Sequence, residues 1–188
     1  MTLTHDSTAK ADLDIQPEIG DPPGITPDQL KAVFRDHPAG VAVITADAGD
    51  GPVAMTASSV FSVSAAPPLI VFSASALSSS TPTLQKAETV VLHMIDEDSL
   101  DLAKLCATSG VDRFADATAW SRLETGEPFF HAATRRIRAQ VSSRLDAGSS
   151  TVLVVQALEA WHDTDRDPKP VVYHNRTWHT LSEASIVP

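Results

Sequence analysis

Twelve of the 28 residues from Thr56 to Thr83 are serine or threonine: Thr56, Ser58, Ser59, Ser62, Ser64, Ser73, Ser75, Ser78, Ser79, Ser80, Thr81 and Thr83. Buried strands favour Val and Ile, so hydroxyls at this density beside strand-like segments need a reason. Loop and edge positions facing water are one reason. A polar ligand rich in acceptors is the other. The string Ser78-Ser79-Ser80-Thr81-Pro82-Thr83-Leu84 strengthens the second. Thr81 is placed to cap a short helix whose first residue is Pro82. Ser79, Ser80 and Thr81 then stand at a helix N-terminus, where free N–H groups and the positive dipole end receive phosphate. Neutral hydroxyls can donate to a dianion there without the burial of a cation. The same string also occurs in plain loops.

The other chemistry-bearing residues are sparser. No Gly-x-Gly-x-x-Gly, phosphate loop or Gly-x-Ser-x-Gly elbow is present. The seven histidines are scattered, and the nearest pair, His174 and His179, has poor metal spacing. His93, alone in an apolar segment, reads as a partnered core or pocket residue. Cys106, the single cysteine, reads as a small buried apolar residue and excludes an intramolecular disulfide. Asp112-Arg113-Phe114 fits either a surface ion pair or a loop over a planar ligand, Arg113 offering a cation and Phe114 a ring. No metal site and no catalytic acid–base pair is expected.

The elements that position these residues follow from periodicity and punctuation. Residues 1–25 read as a flexible acidic tail, and residues 26–188 as one domain. Thr26-Pro27-Asp28-Gln29 carries a Thr cap, Pro at the first helical position and Gln three residues after the cap. Gly40–Thr45 and Pro52–Ser59 flank a Gly/Asp cluster and read as a hairpin. Leu69–Phe72 and Thr89–Ile95 are further strands. A helix capped by Asp96 or Asp98 and ended by Gly110 follows. Residues 111–132 read mostly as loop. Ile137–Leu145 and Thr151–Ala160 read as a second hairpin-like pair, and Val171–His174 and Thr177–Leu181 close the domain. Mainly antiparallel strands with helical decorations point to a β-barrel.

Composition sets the outer limits. The chain has 188 residues, 43% of them apolar, enough for one domain with a core. Its formal net charge of −10 argues against nucleic acid and anionic membranes as partners. Residues 1–30 hold six acids against Lys10 alone, or −5 of that total. No apolar run approaches a membrane span and no secretory signal is evident, so a cytoplasmic protein is expected.

From about Thr26 to Leu181 the chain resembles the FMN-binding split-barrel flavin reductases, the reductase components of two-component monooxygenases. Phe34–Thr45, Pro52–Ser64 (with Met55-Thr56-Ala57-Ser58-Ser59 at its heart), Pro67-Pro68-Leu69, Ser79-Ser80-Thr81, Gly110–Phe114 and Val172-Tyr173-His174 carry the resemblance. It implies a six-stranded antiparallel, Greek-key-like split barrel. It also implies a homodimer with flavin near the subunit interface. Thr56, Ala57, Ser58 and Ser59 would line the ring and ribityl chain. Ser79, Ser80 and Thr81 would lie by the phosphate, and Arg113 and Phe114 would close over the flavin. FMN, or alternatively FAD, would be the cofactor, and NADH or NADPH the co-substrate. A monooxygenase would receive the reduced flavin.

One departure bears on the reductant. Many relatives carry Gly-Asp-His where this chain has Gly148-Ser149-Ser150, and the His helps hold the nicotinamide nucleotide. Ser149, Ser150 and His174 are the remaining candidates for that side. Two functions therefore stay open: an NAD(P)H-dependent flavin reductase, and a flavin-binding carrier or regulator without efficient NAD(P)H turnover. A different planar ligand, such as haem or a deazaflavin, is a third.

Overall fold

The computed structural model describes residues 24–163, 165 and 167–188. Residues 1–23 of the expected tail lie outside it. Two units are distinguished, one ending at Phe34 and one from Arg35 to Pro188. Helix α1 (Pro27–Arg35), all but its last residue in the first unit, begins as its sequence dictates. The Thr26 hydroxyl accepts from the Gln29 N–H at 3.2 Å, and the Gln29 side chain accepts from the Thr26 N–H at 2.8 Å. This reciprocal pair satisfies two donors that the helix leaves unpaired.

The second unit is mainly β. Its strands are β1 (Ala39–Gly40), β2 (Ala42–Asp47), β3 (Pro52–Ala57), β4 (Phe61–Ala65), β5 (Pro68–Ser75), β6 (Thr89–Met94), β7 (Trp120–Arg122), β8 (Pro128–Phe130), β9 (Arg135–Ala147), β10 (Ser150–Trp161), β11 (Val171–His174) and β12 (Thr177–Thr180). Helix α2 (Thr81–Leu84) follows β5, and α3 (Leu100–Ala107) follows β6. Seven strands form one antiparallel sheet in the order β3-β2-β6-β9-β10-β5-β4. A three-stranded sheet, β1-β11-β12, and a β7-β8 hairpin complete it.

The expected closed six-stranded barrel is not formed. The main sheet has seven strands and is open, with β3 and β4 as its two edges. These edges are consecutive in sequence, linked by Ser58-Ser59-Val60. Such a link spans at most about 14 Å, so the sheet must curl to bring the end of β3 to the start of β4. Side-chain bonding fastens this link to β5. The Ser59 hydroxyl accepts from the Ser73 N–H at 3.1 Å and lies 2.9 Å from the Ser73 hydroxyl. Pro52 has no N–H for a ladder, and β4 carries an irregularity between Ser62 and Ser64. Both features suit edge strands and oppose closure.

Two apolar layers cover the faces of this sheet. Ile44, Phe72, Leu84, Val90, Leu92, Leu153 and Val155 pack in one. Val43, Ala54, Leu102, Ala103, Cys106 and Phe130 pack in the other, beneath α3 and β8. Strand alternation explains the division: Val43 and Ile44 are neighbours in β2 but point to opposite faces. The β7-β8 hairpin occupies the span expected to be mostly loop. It supplies Phe130, which is buried. The Asp96 side chain caps the turn before α3, accepting from the Ser99 N–H at 3.1 Å. Among the described residues, no helix is long and apolar enough to cross a membrane.

Candidate functional site

A cavity of about 350 Å³ opens where β3, the loop after β5 and the C-terminal end of α3 converge. This size is at the lower end of the range for small-molecule sites. Met55 and Thr56 form one wall, and Ser75, Leu77, Ser78 and Ser79 another. Cys106, Ala107, Ser109, Gly110 and Arg113 form the third. Among the described residues, no carboxylate lines it, and Arg113 is its one cationic residue.

Each wall is built by local hydrogen bonds. The Thr56 hydroxyl donates to the Ala103 carbonyl at 2.6 Å, fastening β3 to α3. Thr81 Oγ1 donates to the Ser75 carbonyl at 2.6 Å, and Ser80 Oγ to the Ala54 carbonyl at 2.8 Å. Arg113 donates from Nε to the Cys106 carbonyl at 3.2 Å and from Nη2 to the Thr108 carbonyl at 3.0 Å. These are carbonyls at the end of α3, which the helix itself leaves unpaired. Gly110 turns the chain at φ +75°, a backbone that L side chains rarely adopt.

Of the residues expected to hold a cofactor, Thr56, Ser79 and Arg113 line the cavity. Ser80 and Thr81 are next to it but buried, and their hydroxyl protons serve the fold. Ser80, not Thr81, holds the cap position of α2; Thr81 is its first residue, and no side chain caps it. Ser79 is exposed. Ala57 faces the core, Ser58 is exposed on the link to β4, and Ser59 ties that link to Ser73 of β5. Phe114 packs away from the cavity, with ring centroids 5.0 Å from Phe130 and 4.9 Å from Trp120.

The residues considered for the nicotinamide side separate. Ser149 accepts the Ala76 N–H on its carbonyl at 2.9 Å, and Ser150 pairs with Ser75 across β10 and β5. Their turn thus abuts the wall carrying Ser75. His174 sits in the small sheet, its ring centroid 5.7 Å from that of His179, and does not line the cavity.

Sequence reasoning did not single out Leu77, Ala107 or Ser109 for the site. Leu77 is 96% exposed at the rim, an apolar side chain left open to whatever fills the cavity. Cys106 is buried as expected but also contributes to the wall. Burial pushes its thiol up to about 12, and the charge of Arg113 acts against that rise. The proximity of Gly110 and Arg113 to α3 in sequence was the available signal for this wall. Among the described residues, no group of three or more His, Cys, Asp or Glu side chains is arranged to hold a metal.

Among the described residues, the cavity offers open hydroxyls, one cation and no opposing acid. A flavin reductase like domain family matches residues 34–182. The NADH:FMN oxidoreductase of Rhodococcus qingshengii is 38% identical over 158 residues, which are 83% of this chain and 82% of that protein. The flavin reductase domain protein from Arthrobacter sp. FB24 superposes with a TM-score of 0.77 at 29% identity, covering 82% of this chain and 95% of that one. The flavin reductase component of a bacterial two-component tryptophan halogenase superposes with a TM-score of 0.73 at 27% identity, covering 83% and 98%.

Proposed function

We propose that this chain, which belongs to the flavin reductase family, reduces FMN with a nicotinamide nucleotide and passes the reduced flavin to a partner monooxygenase. The carboxylate-free, hydroxyl-lined cavity between β3, the 75–79 segment and α3 is the observation that carries this reading. The cofactors supply the chemistry, a hydride moving from nicotinamide C4 to flavin N5. What the protein must supply is alignment and exclusion of water.

Its residues divide that work. Thr56 holds the ring wall against α3 through Ala103. Ser79 offers a hydroxyl to the phosphate, with Ser80 and Thr81 shaping the loop behind it. Ser58 and Ser59 lie on the link beyond, and Ala57 sets the backbone between them and Thr56. Arg113 supplies the positive charge, and Phe114 anchors the Arg113 loop on Phe130. Ser149 and Ser150 flank the nicotinamide side, and no side chain is required to move a proton. FAD and NADPH are the alternative cofactors to FMN and NADH.

The reading includes a homodimer. Phe61 is paired with Val71, and Val71 with Val154, so the three share one face of the sheet. Phe61 is 58% exposed there, and Leu145, opposite Val152 on that side, is 54% exposed. Apolar surface of this kind supports burial by a second copy. A cytoplasmic location fits the supply of nicotinamide nucleotide.

The test is anaerobic. FMN-loaded protein is mixed with NADH and, separately, with NADPH, and the visible flavin band is followed. Rapid bleaching by either nucleotide is expected and identifies the donor. Persistent colour in protein that demonstrably holds FMN would instead favour a carrier or regulator, consistent with Ser149 and Ser150 replacing an acid and an imidazole.

A further inference from the structure

We infer that Arg113 favours the reduced over the oxidised flavin, acting on the charge of the ring and not on the phosphate. The inference rests on the reading that the cavity holds flavin. It asks more of the site than binding, because a group that holds both redox states equally would not alter the equilibrium between them.

Arg113 is a fixed charge. Its Nε and Nη2 donate to the carbonyls of Cys106 and Thr108, so the guanidinium is tied to the end of α3 and does not swing freely into solvent. Carbonyl partners orient the group but leave its unit charge intact. The adjacent Asp112 carboxylate is engaged elsewhere, accepting from the Phe114 N–H at 2.9 Å. No described carboxylate forms an ion pair with Arg113, and none lines the cavity. The charge lies at the cavity wall, where Nε binds the Cys106 carbonyl.

Its position favours the ring side. Thr56 binds the Ala103 carbonyl and Arg113 binds the Cys106 carbonyl. Positions three apart share a helix face, about 4.5 Å apart along the axis. Arg113 is therefore anchored beside the Thr56 wall through the same helix face. Ser79, the phosphate candidate, belongs to a different wall, after β5.

The charge argument follows from balance. The oxidised ring is neutral. A hydride brings two electrons and one proton as the nicotinamide C4–H bond breaks and the N5–H bond forms. The nucleotide leaves as the oxidised pyridinium, and the reduced ring holds one negative charge. A preorganised cation in a partly desolvated wall stabilises that form selectively.

The experiment compares native protein with Arg113→Gln and Arg113→Lys, using FMN and riboflavin. Dissociation constants are measured anaerobically for both redox states, and the midpoint potential of the bound flavin is read against a reference dye. Far-UV circular dichroism and thermal unfolding check that each variant is folded. Arg113→Gln should weaken reduced flavin about tenfold more than oxidised flavin, lowering the midpoint by about 30 mV, equally for FMN and riboflavin. Arg113→Lys should recover most of the difference. Equal weakening of both redox states, confined to FMN, would assign Arg113 to the phosphate and overturn the inference. An unchanged potential with unchanged affinities would overturn it as well. Failure of the native protein to bind any flavin would remove the functional reading itself, before any variant is compared.

Discussion

His93 accepts the backbone N–H of Phe130 on Nε2 at 3.1 Å, and its Nδ1 lies 3.1 Å from the Val43 carbonyl. One ring thus joins β6 to β2 and to β8. With Nε2 accepting, the proton sits on Nδ1 and donates to Val43. The ring is fully buried, and it is neutral.

That arrangement predicts acid sensitivity. Burial, chiefly, lowers the His93 pKa from 6.5 to about 4, against the pull of the Val43 hydrogen bond. The neutral form belongs to the fold and the charged form to the unfolded chain. This contribution is therefore complete above pH 6.5 and is lost as pH falls from there toward 4. Its size is about 3 kcal/mol by linkage. Urea unfolding across that interval should show stability falling with pH, with a shallower fall in His93→Gln. Equal slopes in both proteins would refute the assignment.

The contact between the β3–β4 link and β5 should be sensitive to one atom. Ser59→Ala removes the acceptor for the Ser73 N–H and the partner of the Ser73 hydroxyl. The expected cost is about 1–2 kcal/mol, because a partly buried amide loses its partner. Thermal unfolding measures it, and Ser73→Ala, which leaves the Ser59 acceptor in place for the amide, should cost less.

Neighbouring serines should separate binding from folding. Ser79→Ala should weaken FMN several-fold and leave riboflavin unaffected, since only FMN carries the phosphate. Ser80→Ala should instead destabilise the fold by about 1–2 kcal/mol, because the buried Ala54 carbonyl loses its donor. Flavin titration and urea unfolding of the two variants make the comparison. Equal loss of FMN and riboflavin in Ser79→Ala would count against the phosphate assignment.

Cys106 offers a probe of the cavity wall. Its thiol is buried and held in the protonated form to about 12, so native protein should react slowly with thiol reagents at pH 8 and rapidly once unfolded. Cys106→Phe should project bulk into the cavity and raise the FMN dissociation constant at least tenfold, whereas Cys106→Ser should change it little. Unaltered FMN binding by a folded Cys106→Phe protein would place the flavin elsewhere.

Local rules made much of this molecule legible in its sequence. Thr26, Pro27 and Gln29 specify the start of α1 because the cap is settled within four residues. The β2-β3 and β9-β10 pairs follow from short turns between apolar runs. The hydroxyl-rich segment stood out by composition, since a buried sheet has little use for so many polar side chains, and Thr56, Ser75, Ser78 and Ser79 of it line the cavity. Family membership was likewise readable, because its motifs are short and contiguous.

Tertiary structure alone decided three things. Whether the sheet closes depends on the meeting of β3 and β4, edges that pair with different neighbours, and no periodicity reports a ladder that fails to form. Which serines remain open to a ligand depends on carbonyls distant in sequence: Ser80 is engaged by Ala54, 26 residues away, while Ser79 beside it is not. Arg113 and Phe114 are adjacent in sequence, yet one is tied to the helix that walls the cavity and the other packs against Phe130. A sequence states which side chains could donate, but only the folded chain determines which carbonyls arrive to accept.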